Sequence, residues 1–475
     1  MLKNYFKTAF RSLWRNRQFT LINIAGLSLG ITVFLFIMQY VAFEWGSNRF
    51  NKNYKNLYRV DIQHKNGSAD YFLVPGLASL LKQQEPAIEN FTRIADGVAA
   101  GVFTTEGKAT SGNHVFREDN LVYADGGFLK MFDFQVLAGT KSLALPQTIA
   151  LSQTTSKKLF GSSNPIGKTV TVSNQFGNTI YSVASVYRIP EASDIKPEAV
   201  LSFSTLENKA NRDGNDWADP KGLGSGFVNI YLQFNPRANV ETVSSKLNLY
   251  NKSLNYYPGT KTDQLYLQTF SELHLAPSFN YPYQTYGNLL LVTVFASIAV
   301  LILLIAWLNY INLSTAQALN RAKEVGVRKV LGASRLQLMF QHLNETFLLT
   351  LTSVVIAVFT VLILQPAFNQ FTGEQLSLSV LNKGWFWLAA AAMLLVGSLL
   401  SGCYVAFVLT AFKPTSTIRG KAEVLIKGFS LRKALVVFQF TASIVFIIST
   451  AILYRQLQFM KNEKLGMQLN QLLVI

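Results

Sequence analysis

The sequence predicts an α-helical membrane protein with five transmembrane helices, a cytoplasmic N-terminus, and one large mixed α/β extracytoplasmic domain between the first and second spans. Three observations carry this. Of 475 residues, 49% are hydrophobic and only 15% charged, and the mean hydropathy of +0.23 is too high for an ordinary soluble chain. The apolar residues gather into five runs, at 19–43, 289–313, 347–368, 385–409 and 434–453, each long enough at about 20 residues to cross a hydrocarbon core as a helix. The third observation is where the charge lies.

The formal net charge is +17, which could suggest a nucleic-acid partner. Between Phe43 and Gly287, however, 23 Lys and Arg stand against 21 Asp and Glu, so that segment is nearly balanced. The excess is in three stretches. Residues 1–18 carry Lys3, Lys7, Arg11, Arg15 and Arg17 without an acid. The connection after the second span carries Arg321, Lys323, Arg328, Lys329 and Arg335, and the one after the fourth carries Lys413, Arg419, Lys421, Lys427, Arg432 and Lys433. If the spans alternate, all three lie on one side, and the positive-inside rule makes that side the cytoplasm. The basic excess is thus a topology signal, with no nucleic acid implied.

The elements follow in order. Residues 1–18 place Leu2, Phe6, Phe10, Leu13 and Trp14 on one helical face and Lys3, Lys7, Arg11 and Arg15 on another, the pattern of an amphipathic helix in the membrane interface, touching lipid. The alternative is a basic flank that only sets topology. The first span, 19–43, is too long for a signal-peptide core and is followed by bulky residues, so it is expected to stay as an anchor. Its Gly26-Leu-Ser28-Leu-Gly30 matches G-x-S-x-G, but a nucleophile elbow needs a sharp strand-to-helix turn that a spanning helix cannot supply. The same residues also read as G-x-x-x-G, a small face for close helix packing.

The segment 44–287 is the predicted extracytoplasmic α/β domain. Candidate strands are 169–173, 179–189, 227–234 and 264–270, and candidate helices 76–84 and 239–254. The stretch LFGSSNPIGKTVTV, 159–172, superficially resembles a P-loop. Five residues rather than four separate Gly161 from Gly167-Lys168-Thr169, a helical pattern precedes it, and a strand pattern follows, the reverse of what a phosphate cradle needs. It reads instead as a helix-to-strand turn punctuated by Pro165 and Gly167. The four histidines, His64, His114, His274 and His342, lack ligand spacing, so no metal site is indicated. The single Cys403 excludes an intrachain disulfide.

The second span, 288–313, carries Asn309 and Asn312, which need partners within a helix bundle. The predicted cytoplasmic loop 314–346 contains RAKEVGVRKVLGAS, in which Val325, Val327, Val330 and Leu331 alternate with charge and two glycines permit a bend. By the positive-inside rule alone, these charges need no partner. Spans follow at 347–368 and 385–409, then a basic segment at 410–433, a fifth span at 434–453, and the start of a second, truncated extracytoplasmic domain at 454–475. The end of the chain repeats the basic entry, span and outward polar stretch of residues 1–60, an apparent parallel duplication.

The loop motif R-x-K-E-V-G-V-R-K-V-L-G-A-S, preceded by N-x-x-N-L-S-x-A, resembles the signature of MacB/FtsX-type ABC transporter permeases. The segment 122–172, with its Asn164-Pro165-Ile166-Gly167-Lys168 turn, resembles that family's periplasmic core domain. The resemblance covers essentially the whole chain. It implies a multi-pass protein of the bacterial inner membrane that couples a separate cytoplasmic ABC ATPase to movement of the external domain, in export or mechanotransmission. It further implies a homodimer, and an extracytoplasmic adaptor, lipoprotein or outer-membrane partner. ATP and Mg would belong to the ATPase, leaving this chain without a cofactor, a metal or enzymatic activity of its own. Arg321, Lys323, Glu324, Gly326, Arg328, Lys329, Gly332 and Ala333 would form the coupling surface, and the helix at 1–18 a second contact. The rival reading is an FtsX-like regulatory scaffold that activates an external cell-wall hydrolase without transport. The chain's size and apparent duplication favour transport.

Overall fold

The computed structural model describes residues 11–65, 69–105, 114–254, 263–275, 287–374, 376, 384–411 and 429–462. Two compact units emerge, Met1–Tyr40 with Val294–Ile475, and Val41–Thr293. The first helix, α1 (Arg17–Gly46), is continuous through Gly26, Ser28 and Gly30, so the G-x-S-x-G match makes no elbow. The Ser28 hydroxyl donates to the Ala25 carbonyl one turn back, at 3.1 Å.

The Val41–Thr293 unit is built on one sheet. Its elements are β1 (Leu57–Gln63), β2 (Ala69–Asp70), α2 (Gly76–Gln84), β3 (Ile88–Ala95), β4 (Gly101–Thr105), β5 (His114–Glu118), β6 (Leu121–Ala124), α3 (Phe128–Met131), β7 (Gln135–Gly139), β8 (Thr148–Ser152), α4 (Gln153–Phe160), β9 (Thr169–Asn174), β10 (Gly177–Arg188), β11 (Ala199–Ser202), β12 (Asn229–Phe234), α5 (Val240–Leu254) and β13 (Gln264–Thr269). Strand order is β13-β1-β12-β3-β6-β11-β8-β10-β9-β4-β5, with β2 on β1 and β7 on β10. The β6/β11 and β8/β10 pairs are parallel. The expected strands and helices at 76–84, 169–173, 179–189, 227–234, 239–254 and 264–270 all appear, with ends shifted by one or two residues.

Both faces of the sheet are covered. Successive side chains in a strand point to opposite faces, and the central strands divide accordingly. Leu121, Tyr123, Ile149, Leu151, Ala199 and Leu201 enter one core together with Leu77 and Leu81 of α2 and Leu247 of α5. Val122, Ala124, Ala150 and Val200 enter the other. Strands buried on both faces read as unbroken apolar runs, which is why β6, β8 and β11 lack an alternating pattern. The second core is largely aromatic: Phe132 meets Tyr231 edge-on at 5.1 Å and Phe134 meets Tyr187 at 5.4 Å, arrangements worth about 0.5–1.5 kcal/mol each beyond burial. A charged pair is enclosed on β1. Arg59 and Asp61 on β1 are 1% and 0% exposed and 2.8 Å apart, and the Arg59 guanidinium also donates to Gln268 of β13 at 3.0 Å.

In the other unit α1 is joined by α6 (Leu289–Val330), α7 (Arg335–Thr372), α8 (Gly384–Ala411) and α9 (Phe429–Asn462). All five apolar runs are helical. Among the described residues, Arg17–Gly46, Leu289–Gln317, Arg335–Thr372 and Lys433–Met460 are long and apolar enough to cross a membrane, and α8 holds a shorter apolar stretch, Phe386–Leu399. Small residues set the packing. A Cβ on Gly30 would lie 2.6 Å from the Cβ of Ala306 on α6, and one on Gly26 would lie 3.4 Å from the Asn309 amide nitrogen. On α8, Gly397 faces the Trp307 ring and Gly402 faces Leu343 of α7, each leaving under 3 Å for an added carbon. Ile31, Leu303 and Ala357 interlock α1, α6 and α7. Tyr310 and Thr346 share a buried hydrogen bond of 2.8 Å between α6 and α7. Asn312 is buried nearby.

The connection at 314–346 is not a loop. α6 runs on to Val330 and α7 begins at Arg335, so Gly326, expected to permit a bend, lies within a continuous helix. Only Leu331, Gly332, Ala333 and Ser334 turn the chain. Valines alternating with charge are compatible with a helix, where the same spacing distributes them around the cylinder, and the chain gives up helical hydrogen bonds only where caps replace them.

Candidate functional site

The α6–α7 hairpin ends in two matched caps. Gly332 has φ +94, a left-handed conformation that favours glycine. Its N–H donates to the Lys329 carbonyl at 3.1 Å, and the Ala333 N–H to the Arg328 carbonyl at 3.0 Å, the paired bonds of a Schellman motif. Ser334 then opens α7 with a capping box: its Oγ accepts from the Gln337 N–H at 3.3 Å, and its own N–H donates to Gln337 Oε1 at 3.0 Å. Each cap satisfies backbone groups that the turn would otherwise leave open. Arg328 Nη1 donates to Gln341 Oε1 at 2.7 Å, tying the two helices together just above the turn.

This rigid tip presents apolar side chains outward. Val327, Val330, Leu331, Leu336 and Phe340 are all more than half exposed, Leu331 at 81%. Arg328 and Lys329 sit half-buried among them. Desolvation, with the Arg335 charge added, holds the Lys329 ammonium below the ordinary lysine range. Sequence reasoning picked out the cations and small residues of this stretch and did not select Leu336 or Phe340. The signal that would have found them is S-x-x-Q, which starts α7 at Arg335 and puts both residues in its first two turns. Arg321, Lys323 and Glu324 lie on α6 by backbone; their side chains are outside the described residues.

Of the interfacial-helix residues, Lys3, Lys7 and Phe10 are outside the described residues, while Arg11, Trp14 and Arg15 fall in a short helical segment before α1. Trp14 is exposed, whereas Leu13 turns inward toward Leu27, Tyr310 and Leu349. The Leu13 carbonyl accepts from the Thr20 hydroxyl at 3.0 Å.

A model of the MacB-like periplasmic core domain matches residues 20–250, and a model of the FtsX-like permease C-terminal domain matches 296–414. The chain belongs to the MacB/FtsX-type family of ABC transporter permeases. Members of this family are membrane-embedded, carry a periplasmic-type domain, and work with a cytoplasmic ABC ATPase. Among solved structures, a domain of a putative permease protein from Porphyromonas gingivalis is 16% identical, covering 52% of this chain and 99% of that one, with a TM-score of 0.37. The periplasmic region of MacB from Actinobacillus actinomycetemcomitans is 18% identical over 46% of this chain and 90% of its own, with a TM-score of 0.34. The extracellular domain of the noncanonic ABC-type transporter YknZ from Gram-positive bacteria is 13% identical over 44% of this chain and 100% of its own, with a TM-score of 0.30. No curated protein matches.

The P-loop lookalike of this permease is a surface turn. α4 precedes it and β9 follows, as the sequence implied. Asn164 Oδ1 accepts from the Ile166 N–H at 3.1 Å, Gly167 sits at φ +80 with its N–H on the Val183 carbonyl, and Lys168 Nζ reaches Ser163 Oγ at 2.7 Å and lies over the Phe160 ring. With the helix C-terminus rather than its N-terminus at the turn, the dipole there repels a phosphate.

Proposed function

We propose that this chain is the permease subunit of an ATP-driven export or mechanotransmission system, crossing the inner membrane five times as a homodimer, with its cytoplasmic side coupled to a separate ABC ATPase. The observation that carries this reading is the capped α6–α7 tip, with Val327, Val330, Leu331, Leu336 and Phe340 exposed beside Arg328 and Lys329. An exposed apolar cluster rimmed by charge is the form of a protein-docking surface. Because both caps are closed and Arg328 bridges to Gln341, a push on the tip travels along two rigid helices instead of being absorbed by a loop. Residues 1–18 supply a second contact beside the lipid headgroups, and ATP with its Mg stays on the partner.

The test is stimulation of the cognate ATPase by the full chain in lipid nanodiscs. Glu324→Ala with Arg328→Ala, and separately Leu331→Asp, are expected to lower stimulation at least tenfold. Leu331 is so exposed that its change leaves the fold intact. Undiminished stimulation in both variants refutes the coupling surface.

A further inference from the structure

A second constellation lies in the Val41–Thr293 unit, where the outer end of α1 and the start of α6 meet the sheet. Glu44, on the last turn of α1, is buried, as are His274, in the turn after β13, and the Asp194 side chain, in the connection from β10 to β11. The imidazole stands between the two acids, Nδ1 at 2.5 Å from Asp194 Oδ1 and Nε2 at 2.9 Å from Glu44 Oε2. Only the doubly protonated ring can donate to both. Asn48, held at φ +64 just past the helix, extends the group: its side-chain amide donates to Asp194 Oδ2 at 2.6 Å, its Oδ1 accepts from the Asp194 N–H at 3.0 Å, and its own N–H donates to the Ala192 carbonyl at 2.7 Å.

The same turn also holds the other helix. The carbonyl of Leu275, next to His274, accepts from the Leu289 N–H at 3.2 Å, and Asn288 Oδ1 accepts from the Leu290 N–H at 2.9 Å, so α6 starts on this cluster. Gly287 packs directly on it: a Cβ there would lie 2.6 Å from His274 Nε2 and against Glu44 Oε2. One imidazole therefore joins three chain segments, and the charges acting on it are Glu44 from α1 and Asp194 from the β10–β11 connection.

We propose that Glu44, His274 and Asp194 form a pH-sensitive latch that fastens the outer end of α1 and the outer start of α6 to the external sheet. The latch is closed while His274 is an imidazolium. Burial alone would discharge the ring, but hydrogen bonds and attraction from Asp194 and Glu44 outweigh that and raise its pKa from 6.5 to about 9. A cation whose folded pKa is raised contributes its full stabilisation below the unfolded value and loses it as pH climbs through the folded value. The latch is thus closed at neutral pH and opens as the external medium turns alkaline, when the neutral ring keeps one N–H and can donate to only one of the two carboxylates. It stands independently of the ATPase-coupling reading.

Hydrogen exchange read by mass spectrometry on the full chain in lipid nanodiscs tests this, with rates corrected for the intrinsic effect of pH. In the wild type, peptides covering 42–50, 190–198 and 270–275 should lose protection tenfold or more between pH 7 and 9.5, while β11 stays protected. His274→Gln should be open at pH 7 and show no titration. Asp194→Asn, which removes one of the two anions, should move the midpoint down by about a unit or more. Wild-type protection in these peptides that is flat from pH 7 to 9.5, or an unchanged titration in a folded His274→Gln chain, overturns the latch. No ATPase is present, so failure here and failure of the coupling surface are read separately.

Discussion

Gly30→Ala is the smallest change that tests how the membrane helices pack. The new Cβ would stand 2.6 Å from the Ala306 Cβ, whereas apolar carbons rest at about 3.5–4.0 Å. Neither carbon has a rotamer through which to withdraw, so α1 and α6 must part by roughly 1 Å. Overpacking of this kind costs about 1–3 kcal/mol, and the separation would spread along the contact that includes Leu27, Ile31, Leu303 and Tyr310. Gly26→Ala is the internal control, since its Cβ would meet the Asn309 amide at 3.4 Å and that side chain can yield. Removing the opposing methyl with Ala306→Gly should relieve the clash, because the next atoms around Gly30 lie at 3.9 Å. Unfolding of the full chain in mixed lipid–detergent micelles should therefore rank Gly26→Ala near wild type, Gly30→Ala clearly below it, and the Gly30→Ala/Ala306→Gly pair above the single variant. If Gly30→Ala matches wild type, or the pair fails to recover, α1 and α6 do not approach through this face.

Two further outcomes follow from the sheet. Asp61→Ala leaves the Arg59 guanidinium enclosed and short of its carboxylate, and loss of one partner of a buried pair costs about 3–5 kcal/mol; denaturant unfolding of the full chain followed by tryptophan fluorescence should show it, and a change under about 1 kcal/mol would mean that water reaches the site. Lys168→Ala should leave both stability and the absence of ATP binding unchanged, since its contacts are an exposed serine and the face of the Phe160 ring; ATP binding by wild type that disappears in this variant, measured with a fluorescent analogue, would restore the P-loop reading.

The parts of this fold legible in the sequence were those governed by one-dimensional rules. Span-length apolar runs, strand periodicity at 169–173 and 179–189, and the order of helix, turn and strand around Asn164 all depend on neighbours within a few residues, and the structure places them where the pattern does. β6, β8 and β11 show no strand periodicity because burial on both faces erases alternation. The turn of the hairpin is set by its caps, Gly332 and the Ser334–Gln337 box, whereas the presence of two glycines does not by itself tell which one bends the chain.

His274 shows why the rest was hidden. Its two carboxylate partners stand 230 and 80 residues earlier in the chain, and no local spacing links a residue at the end of the first span to a turn just before the second. The histidines lack ligand spacing, a criterion suited to metal sites on one helix or loop. An ion-pair cluster obeys a different requirement: a buried charge must find its countercharge in space, wherever the sheet brings it. Here the strand order places β13 beside β1 at one edge, so the turn after β13 returns to the foot of α1. The strand order that builds the sheet thereby also assembles, at its margin, the cluster of His274, Asp194 and Glu44.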